Sequence, residues 1–368
     1  MQKKVLVVAG KMDLGGIETM MMNFFRLIDK RKVTYDFMLN YEEKGAFDDE
    51  ITALGGKIYI MPRLKFKNTF KYIYAVNKFF KQHKGEYDIV HGNLTSVGVI
   101  YLPLAKLHDI KTTVIHAHYA DTKASFKGFI ERLLLFPLRF CADYYFACSN
   151  KAGAFCFGKS KIKKHNYMVI KNGVFTEKFE YNEKIRNKLQ KELNIIEKFV
   201  IIHIGRFEAQ KNHTFLIDVF NSIQKRDNNS VLLLIGVGSL MDDIKERVRS
   251  YGLCECVKFL NNRDDIANLF QAADVLLLPS LYEGLPVVSI EAQASGIPCV
   301  LSDTITKESD ITGNCIFQSL NSSPDDWADQ VFLLKDYNRV STINKIKRAG
   351  YDIHEQAMRL QDFYLNAN

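Results

Sequence analysis

DVLLLPSLYEGLPVVSIEAQASGIPCVLSD, residues 274–303, spells a strand, a loop, a helix and a second strand. Val275–Leu278 is a short apolar run that stops at Pro279. Behind Pro286, a residue accepted in a first helical turn, the spacing turns helical, and Pro298–Leu301 is apolar again. Two continuous apolar strands joined by a helix make a parallel βαβ unit buried on both faces. The same alternation runs through the chain. It predicts strands at Val5–Ala9, Tyr35–Leu39, Lys57–Met61, Asp88–His91, Thr113–His116 and Tyr144–Ala147, then at Val200–Ile204, Val231–Ile235, Val257–Leu260, Val275–Leu278 and Pro298–Leu301. The fold class is therefore α/β, with two Rossmann-like parallel-sheet domains, 1–174 and 175–350. A helical tail, 351–368, has no strand to follow it and is expected to cross back onto the first domain. The polar stretch Asn172–Lys198 reads as the hinge region. Such sheets bind ligands beyond the carboxyl ends of their strands, so function is to be sought in the strand-to-helix loops.

Composition agrees with two packed domains. The chain has 368 residues, 47% apolar and 25% charged, with no run of about 18 apolar residues that would span a bilayer. The opening MQKKVLVVAGKMD carries too short an apolar stretch for a signal peptide and reads as a buried strand. Seven cysteines, odd in number and without a CxxC pair, argue against a disulfide framework or a zinc site and fit a cytoplasmic protein. Charge is split: residues 1–174 hold 28 Lys+Arg against 15 Asp+Glu, a net +13, whereas 175–368 hold 22 against 27, a net −5.

Glu283 stands just before the helix of the opening stretch and Glu291 in its second turn, where free backbone N–H groups and the positive helix end suit a diphosphate. Alone, the two carboxylates read equally well as solvated surface groups. Their setting, Gly284-Leu285-Pro286 and then AQASG, with seven residues between them, resembles the signature of the retaining GT-B glycosyltransferases of family 4. The continuation SDTITKE (302–308) is similar to members that build bacterial capsules and exopolysaccharides. The resemblance implies two domains facing across a cleft. It also implies Glu283 on the hydroxyls of a donor sugar and Glu291 on the nucleotide ribose, with Gly284, Leu285 and Pro286 lining the same ligand.

Other stretches extend the likeness. HIGRFEAQKNH (203–213) presents Arg206 and Lys211, ordinarily solvated, at the spacing the family sets against the diphosphate. Two fixed cations can neutralise a departing nucleoside diphosphate, and the chain contains no Asp-x-Asp to hold a divalent ion there, so no metal and no cofactor are expected. Gly15-Gly16-Ile17-Glu18 is similar to the family's donor-diphosphate loop; as a bare glycine turn it would be unremarkable. In IHAHYAD (115–121) a lone histidine is more often core than catalyst, but His118, rather than His116, matches the active-site histidine near the donor sugar. FACSN (146–150) and KNGV (171–174) resemble the end of the first domain and add Ser149 and Asn172. NNRDDIANLF (261–270) resembles the nucleotide-base loop, with Arg263 at its tip. GVGS (236–239) fails as a dinucleotide motif, because Met241 stands where a third glycine would be needed.

The expected activity is metal-independent, retaining transfer of a hexosyl or N-acetylhexosaminyl group from a nucleotide sugar, by default a UDP-sugar. The acceptor is a glycan or a polyprenyl-diphosphate-linked sugar of cell-surface polysaccharide synthesis. The basic first half, with RLKFKNTFKYIYAVNKFFK (63–81) and FKGFIERLLLFPLRF (126–140), suggests peripheral contact with an anionic membrane on the cytoplasmic side; equally, both stretches read as helices with outward lysines. A non-hydrolysing nucleotide-sugar 2-epimerase would use the same architecture but its own carboxylates and no acceptor. A nucleic-acid-binding protein would answer the basic half, but the lysines are scattered through βα units and the other half is acidic, so no nucleic-acid partner is expected.

Overall fold

The computed structural model describes residues 2–13, 15–119 and 126–367, except the side chains of residues 66 and 126–131. The chain forms two compact units, Met1–Gly173 with Ile353–Asn368, and Val174–Asp352.

The first unit is built on β1 (Lys3–Ala9), β2 (Val33–Leu39), β3 (Ile58–Ile60), β4 (Ile89–Gly92), β5 (Thr112–Ala117), β6 (Tyr144–Ala147) and β7 (Tyr167–Val169). They lie in the order β3-β2-β1-β4-β5-β6-β7, every pair parallel. Val5, Leu6, Val7 and Val8 are all buried, as continuous apolar strands must be when helices cover both faces. The helix Ile353–Asn366 belongs to this unit. Tyr364 sets its ring edge-on to Tyr35 at 5.9 Å, and Phe363 packs on Phe146 at 4.8 Å.

The second unit carries β8 (Phe199–Ile204), β9 (Ser230–Ile235), β10 (Val257–Phe259), β11 (Val275–Leu278), β12 (Cys299–Ser302) and β13 (Cys315–Gln318), ordered β10-β9-β8-β11-β12-β13 and parallel throughout. In each sheet the winding reverses once, between β1 and β4 and between β8 and β11. The loops leaving those four strands are therefore where a doubly wound sheet presents a ligand site.

Two expectations need correction. Each sheet has one more strand than the sequence predicts, β7 and β13; both are short edge strands with partly exposed residues, so neither leaves a buried apolar run to read. And the stretch Asn172–Lys198 does not as a whole separate the units: their junction is Gly173–Val174, at its start. From Val174 onward it belongs to the second unit, where the helices Thr176–Phe179 and Glu183–Glu192 place Phe179, Leu189 and Ile195 in the core. Its charged outer face hides those few apolar anchors.

Candidate functional site

In the second unit the loops after β8 and β11 are stitched together at the point of reversal. The β8 loop closes in a tight turn, Ala209–Lys211, and Asn212 adopts a left-handed φ of 56° to start the helix His213–Arg226. Three hydrogen bonds hold this turn against the β11 loop: Leu281 N–H to Gln210 O at 2.9 Å, Gln210 Nε2 to Tyr282 O at 3.0 Å and Asn212 Nδ2 to Pro279 O at 3.1 Å. Across the join Lys211 Nζ donates to Glu283 Oε1 at 2.6 Å, and Gln210 Nε2 reaches Glu283 Oε2 at 3.4 Å. The side chains of Lys211 and Glu283 are 17% and 11% exposed, so this is a largely desolvated ion pair. Removing either partner would strand a charge.

Lys211 owes its path to glycines that the sequence shows only as turn residues. A Cβ on Gly205 would fall 2.8 Å from Lys211 Cε, so the lysine stem lies directly over that residue. Gly236, at φ 133°, lets its own loop approach Gly205 O, where a Cβ would come within 2.2 Å. Phe207 N–H then donates to Val237 O at 3.1 Å, and Leu240 N–H to Phe207 O at 3.0 Å. The GVGS stretch is thus a buttress for the cationic loop. A glycine closing a strand, followed six residues later by lysine, was the available signal for Gly205.

Arg206, next to Gly205, is exposed, and its side chain has no hydrogen bond or ion pair among the described residues. Glu283 and Gly284 precede the helix Val287–Ala294, for which Pro286 is the cap residue at ψ 114° rather than part of the first turn. Leu285 packs against the unit's core. A Cβ on Gly284 would meet nothing within 4 Å, so open space adjoins that backbone. Glu291 is partly buried in the second turn of this helix with no side-chain partner among the described residues, and desolvation pushes its carboxyl up to about 7. Hydroxyl donors from a ligand would relieve that cost. Arg263 is not a free tip: its Nε and Nη2 both donate to Asp265, at 2.7 Å each, which spends its fork inside the loop.

In the first unit Gly15 caps the helix Gly16–Leu27 and Gly16 opens it; a Cβ on Gly15 would collide with the Glu18 carboxylate, whereas Gly16 faces open space. Neither needs a left-handed backbone. Ser149 spends its hydroxyl capping the helix Asn150–Phe157 through Ala152 N–H. The Asn172 side-chain oxygen is buried without a partner among the described residues. His118 follows β5, and its Nε2 lies 2.8 Å from Asn93 Oδ1; burial pushes its pKa down to about 3, so the ring is neutral. His116 is completely buried within β5. Ala120 and Asp121, the end of that motif, lie outside the described residues. Among the described residues no group of three His, Cys, Asp or Glu side chains converges as metal ligands would, and no helix is long and apolar enough to cross a membrane.

Residues 14–178 match the family described as Glycosyltransferase Family 4, and residues 184–346 the one described as Glycosyl transferases group 1. EpsF of Bacillus subtilis, named as a glycosyltransferase, is 34% identical over 373 residues, covering 99% of this chain and 96% of that protein. The UDP-Gal:alpha-D-GlcNAc-diphosphoundecaprenol alpha-1,3-galactosyltransferase of Escherichia coli is 27% identical over 301 residues, 79% of this chain and 76% of that one. Among solved structures, Anabaena Alr3699/HepE in complex with UDP and glucose superposes with a TM-score of 0.78 at 19% identity, covering 98% and 99% of the two chains.

Proposed function

Since the chain belongs to the family 4, group 1 glycosyltransferases and has the paired parallel-sheet units of the GT-B fold, we propose that it moves a sugar, with retention and without a metal, from a UDP-sugar to a lipid-linked glycan of cell-surface polysaccharide synthesis. The observation that carries this reading is the Lys211–Glu283 pair, held at 2.6 Å between the β8 and β11 loops. A donor's diphosphate would compete with Glu283 for Lys211 and draw in the unengaged Arg206. Glu283, released from the lysine, would then accept hydrogen bonds from the sugar hydroxyls, and Glu291 from the ribose. Bond cleavage puts charge on the diphosphate, and a cation fixed beforehand, as Lys211 is, stabilises it more than it stabilises the ground state. No carboxylate is assigned as nucleophile. The leaving phosphate oxygen takes the acceptor proton as the sugar passes through an oxocarbenium-like state on one face. UDP as the nucleotide and a diphosphate-linked lipid acceptor follow the E. coli relative's chemistry, and the UDP bound by HepE is in keeping with the former.

The test is a thermal-shift panel of nucleoside diphosphates. A ligand at a hundred times its Kd adds about 2.7 kcal/mol, or about 5–10 °C for units of this size. UDP is expected to give that rise, and Glu291→Gln to need several-fold more UDP for the same shift. If no nucleoside diphosphate moves the melting point, the reading is wrong.

Access to a lipid-linked acceptor would come through the helix Thr69–Gln82 of the first unit. Tyr72, Val76, Phe79 and Phe80 face the core. The opposite face shows Phe70 at 88% and Tyr74 at 68% exposure among exposed Lys67, Lys71, Lys78 and Lys81. Aromatic side chains set among lysines suit an anionic interface. A lysine near such a surface contributes about 1 kcal/mol, so Lys71→Ala with Lys78→Ala is expected to weaken co-flotation with phosphatidylglycerol vesicles by about tenfold or more at low salt. Flotation equal to that of the parent chain would remove this helix from the proposal.

A further inference from the structure

Three imidazoles of the first unit stand in a chain that starts on the last helix. Tyr35 donates its hydroxyl proton to Tyr364 Oη at 3.3 Å, and Tyr364 therefore gives its own to His91 Nδ1. With Nδ1 accepting, a neutral His91 carries its proton on Nε2 and donates it to His116 Nδ1 at 3.3 Å. The His116 proton is thereby placed on Nε2, a buried atom with no partner among the described residues. The His116 ring lies on His118, centroids 4.1 Å apart at 36°. His118 is fixed separately: Asn93 turns its amide N–H toward His91 O at 3.5 Å and its Oδ1 toward His118, so His118 Nε2 bears the proton and Nδ1 is a bare acceptor. That Nδ1 is also buried and without a partner among the described residues. Among the described residues no carboxylate or cationic side chain bonds these rings, which meet Tyr364, Phe146 and Asn93.

We propose that Tyr364 and Asn93 are positioning residues that lock all three imidazoles in the Nε2–H form, so that the buried Nδ1 of His118 is kept as a bare hydrogen-bond acceptor. The inference rests on geometry alone. An orphaned lone pair in dry surroundings is costly unless some group donates to it. Tyr364 sits on a helix distant in sequence from the rings it orders, so the tail acts on His116 of β5 through proton placement as well as packing.

The experiment is a long-range ¹H–¹⁵N spectrum of the full chain with labelled histidine at neutral pH, where the two ring nitrogens of each tautomer separate. His91, His116 and His118 are expected as Nε2–H tautomers. Tyr364→Phe should convert His91 and His116 to mixtures and leave His118 as it was, while Asn93→Ala should do the reverse. Tautomers of His91 and His116 unmoved by Tyr364→Phe, or a His118 tautomer unmoved by Asn93→Ala, would overturn the lock.

Discussion

Lys211→Ala should lower kcat by about 10²–10³-fold, the loss typical when a preorganised group that meets developing charge is deleted. The geometry lets this effect be separated from damage to the fold. Lys211 and Glu283 form a pair less than a fifth exposed, so the single substitution leaves a carboxylate in poor solvent and costs about 3–5 kcal/mol of stability as well. Removing both charges relieves that strain. The double variant Lys211→Ala, Glu283→Ala is therefore expected to recover much of the melting temperature and none of the activity. Gly205→Ala is a milder version of the same test, because its new methyl group displaces the lysine stem without removing the ammonium. If the double variant regained turnover along with stability, the lysine would be a structural brace and the proposed chemistry would lose its principal cation.

What could be read from the sequence, and what could not, follows from how local each signal is. The βαβ stretch at 274–303 and the loop at 203–213 each carry strand, turn and helix marks within thirty residues, and the structure joins their Lys211 and Glu283 directly. Gly205 and Gly236 were visible as glycines, but their purpose is a contact between two loops thirty residues apart. The imidazole chain was beyond reach: Tyr364 bonds a histidine 273 residues earlier, and no periodicity records such a pairing. The edge strands β7 and β13 were missed for the opposite reason, since their short half-exposed segments lack the buried run that marks interior strands. Arg263 shows a further limit. Its position in a base-loop-like stretch was legible, but its engagement by Asp265 two residues on was not.

The buried histidines set the second large effect, a steep loss of stability on mild acidification. His91 and His116 in the first unit, and His203 and His213 in the second, are at most 5% exposed. Desolvation is the leading cause in each case, holding His91 down to about 3, His213 to about 4 and the other two well below the ordinary 6.5. A histidine lowered in the fold binds its proton only after unfolding. Its contribution is thus neutral above pH 6.5, and stability is lost as pH falls from 6.5 toward the folded value. At pH 5 a histidine held at about 3 or 4, as His91 and His213 are, favours the unfolded chain by about 2 kcal/mol. His116 and His203 act in the same direction, against the 5–15 kcal/mol that ordinarily holds a domain. Glu291 works the other way, because a carboxyl raised to about 7 is better accommodated as the pH drops, but it is one partly buried group against four. Carboxylates with lowered values, such as Asp143 and Asp227, lose their contribution only at more acid pH and leave this window untouched. Urea unfolding followed by far-UV circular dichroism should show the midpoint falling continuously from pH 7 to pH 5, and His91→Gln should flatten the part that belongs to the first unit. A midpoint constant across that range would mean that the rings are hydrated and free to protonate in place, and the dry, neutral chain linking Tyr364 to His116 could not exist.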